Sequence, residues 1–394
     1  MTVQPTLERR PRPHGRDAEL RSVAAVLDAP RRGGFGLLVL LGDPGMGRTA
    51  LLDHAAASFT GGPVVRVTAS PGDFRVPGGG LRALHDALTA RGTVRQPTAA
   101  EPTGADLADA LRAASADGPP LLCLDDAHVW DERSRRSLAT VLRGVPRTGR
   151  VAVLVTALRR HPGSRDFAEL PSVVLGPLSR RAAGCVVDDL AAGPVDASVR
   201  EELVTEAEGN PALLAFLAER LSPARLAGCA PLPRPLLDTA ALRRVVSPAP
   251  DELPQDIRAL LLLVAAASEG DPAGGAAGGT ADAALVRDAA RRAGLPEAAF
   301  AAAEAAGLLV WSSGRVGCAT VPLRRLLYEE AAPARRRAAH GALAAALGGA
   351  RDPLARLTHT ALSVRGPAPR LAAALAAEAA REGARHPHHE RSAA

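Results

Sequence analysis

Short runs of consecutive apolar residues alternate with helix-like segments through the first 180 or so positions: Leu37–Leu41, Val64–Val67, Leu121–Leu124, Val151–Val155 and Val173–Leu175. Runs of three to five residues, apolar but for Arg66 in the second and bounded by turn signals, describe strands buried in a sheet, the first of them on both faces. Such strands separated by helices predict a parallel sheet. Asp17–Leu27 carries amphipathic helical spacing ahead of the first run, and Arg31-Arg32-Gly33-Gly34 ends it. Strand signals stop near Leu178, and Ser179–Leu221 reads as alanine- and leucine-rich helix.

Pro231, Pro233 and Pro235 exclude a continuing helix and place a boundary near 231–250. Beyond it, helical patterns at Pro254–Ala267, Ala281–Ala293 and Pro296–Ala306 surround a Gly/Ala loop at 270–280. Two strand-like segments follow, Leu308–Trp311 and Arg315–Thr320, joined by Ser312-Ser313-Gly314. Three helices and a strand pair form a winged-helix pattern. The expected organisation is a flexible N-terminus at 1–14, an α/β domain with helices on both faces of its sheet at 15–178, and a helical lid at 179–245. A winged-helix-like domain at 246–332, a helical segment at 333–382 and a flexible tail at 383–394 complete it. No fixed-period repeat stands out.

Composition narrows the classes. At 394 residues and 47% hydrophobic, the chain is long enough for two or three domains with real cores. It has no lysine, one asparagine (Asn210) and about a fifth alanine, a drift towards residues with G/C-rich codons. The net charge of +6 is carried by arginine and does not by itself make a nucleic-acid binder. Met1–Arg12 lacks the apolar core of a signal peptide, and the longest aliphatic stretch, Ala259–Ala267, is about half a membrane span. A soluble, cytoplasmic protein without a membrane partner is expected. Cys123, Cys185, Cys229 and Cys318 lack paired spacing and are expected to be reduced, mostly buried spectators.

The chemistry lies at two strand ends. Gly42-Asp43-Pro44-Gly45-Met46-Gly47-Arg48-Thr49, followed by Ala50, has the spacing of a phosphate-binding loop with Arg48 in the lysine position. Glycines let backbone N–H groups turn inward around a phosphate, the following helix N-terminus adds positive partial charge, and the Thr49 hydroxyl is suited to ligate Mg²⁺. Leu121-Leu122-Cys123-Leu124-Asp125-Asp126 places two carboxylates at another strand end. Asp125 is read as the metal residue with Thr49, and Asp126 as the group that activates water, with Arg48 the second catalytic candidate. A planar guanidinium does not follow a phosphoryl group as a lysine point charge does, so turnover is expected to be slow.

These residues, with Gly15-Arg16-Asp17-Ala18-Glu19-Leu20, Ala127-His128-Val129-Trp130-Asp131 and Gly209-Asn210-Pro211, resemble the signal-transducing STAND branch of the AAA+-like P-loop ATPases. The look is that of the large ATP-binding regulators of the LuxR type, and it runs on through Ala306-Gly307-Leu308-Leu309, Val321-Pro322-Leu323 and Ala334–Arg337 to His340 and His359. The resemblance implies a P-loop NTPase fold binding ATP or ADP with Mg²⁺. Arg16 would border adenine and ribose, Gly45, Gly47, Arg48 and Thr49 the phosphates, and Pro211 the adenine face. Thr156 or Arg159 would be the sensor on the fourth strand. Gly209–Pro211 is also good turn chemistry, and that alternative stays open.

Three departures qualify the resemblance: Arg48, Val321 where these regulators often have histidine, and the lack of a C-terminal helix-turn-helix, the chain ending near the first helices of a long array. The expected function is a nucleotide-operated switch, at most a weak ATPase, acting on a protein partner, on transcription or through self-association. The competing expectation is a catalytically degenerate, nucleotide-bound scaffold. Direct DNA reading is not expected, since Pro296–Ala306 carries Glu297 and Glu304 and no arginine. Arg335–Arg337 and the tail histidines 386, 388 and 389 are expected to be solvated.

Overall fold

The computed structural model describes residues 13–69, 76–89, 102–114, 118–144, 150–269, 279–348 and 352–385. Residues 1–12 of the expected flexible N-terminus at 1–14, and the tail histidines, lie outside the described residues. The chain divides into two units, Met1–Val245 and Val246–Ala394.

The first unit is built on five parallel strands, β1 (Gly36–Gly42), β2 (Val64–Thr68), β3 (Leu121–Asp125), β4 (Ala152–Leu158) and β5 (Ser172–Leu175), in the order β2-β3-β4-β1-β5. The two-residue period of a strand sends alternate side chains to opposite faces. Val39, Leu122, Leu124, Val153 and Val155 meet a core containing Leu84, Leu107, Leu138 and Trp130, from α3 (Gly79–Thr89), α4 (Gly104–Ala114), α5 (Glu132–Gly144) and the turn before it. Leu38, Leu40, Cys123 and Leu154 meet Val23, Leu51, Leu52 and Ala55 from α1 (Asp17–Asp28) and α2 (Arg48–Ser58). A parallel sheet covered on both faces results, and this is why its central strands β1, β3 and β4 read as unbroken apolar runs, whereas the edge strands β2 and β5 keep exposed positions. Gly42 pairs with Leu158 and with Leu175, and Thr68 with Asp125, so the ends of all five strands open on one edge.

The segment expected as helix from Ser179 to Leu221 is three helices, α6 (Arg180–Leu190), α7 (Ala197–Ala207) and α8 (Pro211–Arg220), followed by the short α9 (Pro223–Leu226) and α10 (Thr239–Arg243). Ser179, Asp196 and Asn210 each accept backbone N–H bonds as N-caps and so set the breaks.

In the second unit, α11 (Gln255–Glu269), α12 (Ala283–Arg292) and α13 (Ala298–Ala305) accompany a three-stranded antiparallel sheet in the order β6-β8-β7. Its strands are β6 (Thr280–Asp282), β7 (Leu309–Ser312) and β8 (Arg315–Cys318). The sequence pattern yields only two of them, because three residues of strand leave no periodicity to read. Thr320 caps the next helix instead of extending β8. Ser313 (φ 48°) and Gly314 (φ 78°) form the two-residue turn that a twisted hairpin requires. Four helices follow: α14 (Val321–Glu330), α15 (Pro333–Ala346), α16 (Pro353–Ser363) and α17 (Pro369–Arg385), the last running past the expected start of the tail at 383. Tyr328, His340 and His359 join α14, α15 and α16 through contacts of 2.9 Å from Tyr328 Oη to His340 Nε2 and 2.9 Å between the histidine Nδ1 atoms. Among the described residues, no helix is long and apolar enough to cross a membrane.

Candidate functional site

The loop from Gly42 to Thr49 joins β1 to α2 at the open edge of the sheet. Gly45 (φ 79°) and Gly47 (φ 85°) take left-handed backbone that a side chain would strain. Gly45 is also closed in on two sides, since a Cβ there would lie 2.5 Å from Asn210 Oδ1 and 2.8 Å from Val245 Cγ1.

Asn210 fastens α8 to this loop. Its Oδ1 accepts from Ala212 N (3.0 Å) and Leu213 N (3.3 Å), and its Nδ2 donates to Pro44 O (3.1 Å). Ala212 N also donates to Gly45 O (3.2 Å), so Gly209–Pro211 is both a helix-capping turn and a wall of the loop. Arg16, buried, completes the brace: Nη2 donates to Met46 O (3.1 Å) and Gly176 O (2.6 Å), and Nη1 lies 3.3 Å from Glu19. The sequence reading placed Arg16 beside a base and ribose. The structure places it on the cavity wall with Nη2 directed at backbone carbonyls of the loop and of the turn after β5.

Beside the loop is a cavity of about 1400 Å³. Gly15, Met46, Ala50, His54, Ala182 and Pro211 are among the residues lining it. Asp43, Pro44, Gly45, Arg48 and Thr49 belong to the loop at its edge.

The carboxylates follow from β3 and its neighbour β4. Asp125, at 3% exposure, accepts hydrogen bonds on Oδ1 from Thr156 Oγ1 (2.6 Å) and Thr49 Oγ1 (3.2 Å). Thr156 Oγ1 in turn accepts from Asp126 N (2.7 Å), which fixes the backbone where Asp126 turns into left-handed conformation (φ 54°). The Asp126 carboxyl titrates above its ordinary range because burial disfavours its charge, with Arg48 opposing and Asp125 reinforcing the shift.

Arg48 Nη2 lies 3.2 Å from Asp126 Oδ1. Burial lowers the guanidinium's pKa, and Asp126, Asp125 and Asp43 counter it; the group stays charged. His128, in the 3-10 turn Ala127–Val129, places Nδ1 3.7 Å from the same Oδ1. Burial, then Arg48, His161 and Arg135, press its pKa down to about 3, which keeps it neutral.

Of the two sensor candidates, Thr156 sits against Asp125, whereas Arg159 is exposed and only its backbone N–H reaches Gly42 O (3.1 Å). The arginine that turns to the loop is Arg160, whose Nη1 pairs with Asp43 Oδ2 at 2.8 Å. The spacing from β4 misses it because the strand continues to Leu158, which shifts the inward-facing position by one. Arg66, on β2, was also missed; it pairs with Asp53 and approaches Asp125 Oδ2 to 3.6 Å. The cysteines divide evenly: Cys123 and Cys318 are buried, Cys185 is intermediate and lines the cavity, and Cys229 is exposed.

Three buried polar atoms meet here without a hydrogen-bond partner: Arg48 Nη1, Asp126 Oδ1 and His128 Nδ1. Native interiors satisfy nearly all such atoms, and a cluster of exceptions marks a place for a ligand that supplies them. One added donor for the carboxylate and one added acceptor for the guanidinium suit a hydrated phosphate. The adjacent oxygens of Thr49 and Asp125 suit a hard divalent cation, which takes oxygen ligands and keeps several waters.

A family model of the AAA ATPase domain matches residues 12–155. No curated protein matches the chain. Among solved structures, a Walker-type ATPase of Pyrococcus abyssi is similar at a TM-score of 0.51 and 14% identity, over 81% of this chain and 98% of that one. At that identity the likeness bears on fold alone. A Pyrococcus horikoshii signal transduction ATPase with numerous domains (STAND) and a tetratricopeptide repeat sensor aligns at 0.37 and 14% identity, over 97% of this chain and 53% of that one. The Aeropyrum pernix Orc1 protein, solved in complex with DNA, aligns at 0.40 and 17%, over 82% and 94%. Neither of these two scores supports an argument. Motif and fold together give the sheet of the first unit the P-loop NTPase fold, and it is within this unit that the AAA ATPase domain model matches.

Proposed function

We propose that the chain is a STAND-type switch of the cytoplasm that binds Mg-ATP or ADP, hydrolyses ATP at most slowly, and regulates a protein partner or transcription, in the manner of the LuxR-type regulators it resembles. The observation that carries this reading is the convergence of Thr49, Asp125 and Thr156 with Arg48 and Asp126 at one sheet edge, next to the cavity of about 1400 Å³.

In this reading the triphosphate follows the loop, with Gly45, Gly47 and the N-terminus of α2 supplying N–H donors and Arg48 a charge. Thr49 and Asp125 would hold Mg²⁺, which would supply charge neutralisation to the phosphates. Asp126 orients a water whose oxygen bonds to the terminal phosphorus while the bridging oxygen leaves with the diphosphate. One water proton stays on the phosphate and the other passes through the Asp126 carboxylate to solvent. The base and ribose occupy the cavity between Arg16, Ala50 and Pro211. Nucleotide state then biases how α6–α8 are held, because Asn210 ties that group to the loop that touches phosphate. The second unit's three helices and three strands are read as a winged-helix-like domain. Glu297 immediately precedes α13 and Glu304 lies in its last turn, which favours a protein partner or a second copy over DNA.

The test is to identify nucleotide released from denatured protein purified without added ligand, then to measure phosphate release. Asp126→Asn is expected to retain binding and abolish release. The Arg48–Asp126 contact favours a second reading, a nucleotide-bound scaffold without turnover, because it engages the cation that would follow the transferred group. Tight binding with no release from the unmodified protein would select it.

A further inference from the structure

We propose that His128 is a positioning residue for Asp126, taking hold of its carboxylate when Arg48 turns to a terminal phosphate; this rests on the nucleotide-binding reading above. The observation is that one oxygen faces two donors. Asp126 Oδ1 lies 3.2 Å from Arg48 Nη2 and 3.7 Å from His128 Nδ1. Neither contact is a formed hydrogen bond, and Oδ1, Nδ1 and Arg48 Nη1 are all buried without partners.

His128 is built to stay where it is. It is 4% exposed, its ring meets the edge of His161 with centroids 4.9 Å apart, and its carbonyl oxygen would be 2.5 Å from a Cβ at Gly163. The backbone of Asp126 is equally fixed by its bond to Thr156 Oγ1. What can change between these fixed points is the carboxylate torsion and the guanidinium. A terminal phosphate carries more charge than a carboxylate and draws the arginine fork, which is shaped for oxyanions. Asp126, left beside anions, would then rotate away unless another donor retained it. A neutral imidazole carrying its proton on Nδ1 supplies that donor after a shift of under about 1 Å, the difference between the present separation and a hydrogen bond. The orphaned Nδ1 is thus a contact that closes only in the loaded state.

The experiment compares His128→Ala, His128→Asn and His128→Gln in the full chain, measuring equilibrium binding of ADP and of a non-hydrolysable ATP analogue, phosphate release, and melting temperature. The asparagine amide nitrogen falls where Nδ1 lies, and that of glutamine reaches one bond further. Phosphate release is expected to drop ~10- to 100-fold in the alanine and glutamine variants, the scale of a misplaced reacting group. Asparagine should restore most of it, with binding in all variants within about twofold of the unmodified protein. The Asn-against-Gln comparison decides the matter even where the alanine variant does not fold.

Equal rates for Asn and Gln, or rates that follow melting temperature alone, would show a packing role and overturn the proposal. Release by His128→Ala at the unmodified rate would overturn it as well. Binding without phosphate release in the unmodified protein overturns it too, since there is then no reaction to position. Failure of the unmodified protein to bind nucleotide at all is a different result, which removes the functional reading itself.

Discussion

Asn210 performs two separable jobs, and substituting it tests whether α8 is mechanically tied to the phosphate loop. Its Oδ1 caps α8 through Ala212 N and Leu213 N, and its Nδ2 bonds Pro44 O. Loss of a cap costs about 1 kcal/mol, and loss of a buried hydrogen bond about another. Asn210→Ala therefore removes about 2 kcal/mol from the first unit, roughly 4–8 °C in its unfolding midpoint. Asn210→Ser keeps a competent cap, but its shorter side chain cannot also donate to Pro44 O. It should lose only about half as much. Nucleotide affinity should divide differently: both variants free the Pro44 carbonyl, so both should weaken ADP binding, by about fivefold for a bond of about 1 kcal/mol. Thermal unfolding and calorimetric titration of the three proteins give both quantities. A serine variant that binds as tightly as the unmodified protein would refute the reasoning, because affinity would then depend on the cap and not on the tie to the loop.

Arg48→Lys should separate from Asp126, gain the mobility of a point charge and raise phosphate release about tenfold or more, read by a coupled phosphate assay; an unchanged rate would mean that Arg48 does not limit turnover. Alkylation followed by mass spectrometry should modify Cys229 fastest and Cys185 only in nucleotide-free protein, since Cys185 lines the cavity; Cys123 and Cys318, whose thiols burial pushes up to about 12, should stay unreacted. Burial, with His359 and Arg336 beside it, lowers the His340 pKa to about 4, against 6.5 for an unburied histidine. The unfolded chain then binds the proton first, so the second unit should be most stable above about pH 6.5 and weaken as pH falls towards 4. His340→Leu should flatten that dependence in urea titrations across the range.

The central strands β1, β3 and β4 were legible because each is buried on both faces and so unbroken in its apolar run, and the loop was legible from the spacing of its glycines. Asp125 and Asp126 could be paired with the loop by chain order alone. What could not be read was which side chain of a strand end faces inward: Arg159 and Arg160 are equally plausible letters, and only the last residue of β4 decides between them. Arg66 was hidden for the opposite reason, since its meeting with Asp125 depends on β2 lying beside β3, a pairing no local pattern encodes. β6 was invisible because three residues give no period.

Arg48 joins the two readings of this protein. In a chain without lysine its presence in the loop is unremarkable as composition, yet its geometry is particular: the longer arm reaches Asp126, which leaves one guanidinium nitrogen orphaned and one carboxylate oxygen poorly bonded. A lysine ammonium, a single compact centre, could not leave that pattern of half-satisfied groups. On the nucleotide-binding proposal, this internal ion pair is what a phosphate would have to displace, and the freed Asp126 would be available for chemistry only if something retained it. A slow ATPase and an inert scaffold differ in that last step alone. The side chains proposed to set that step are Arg48, which faces the carboxylate from the loop, and His128 beside it.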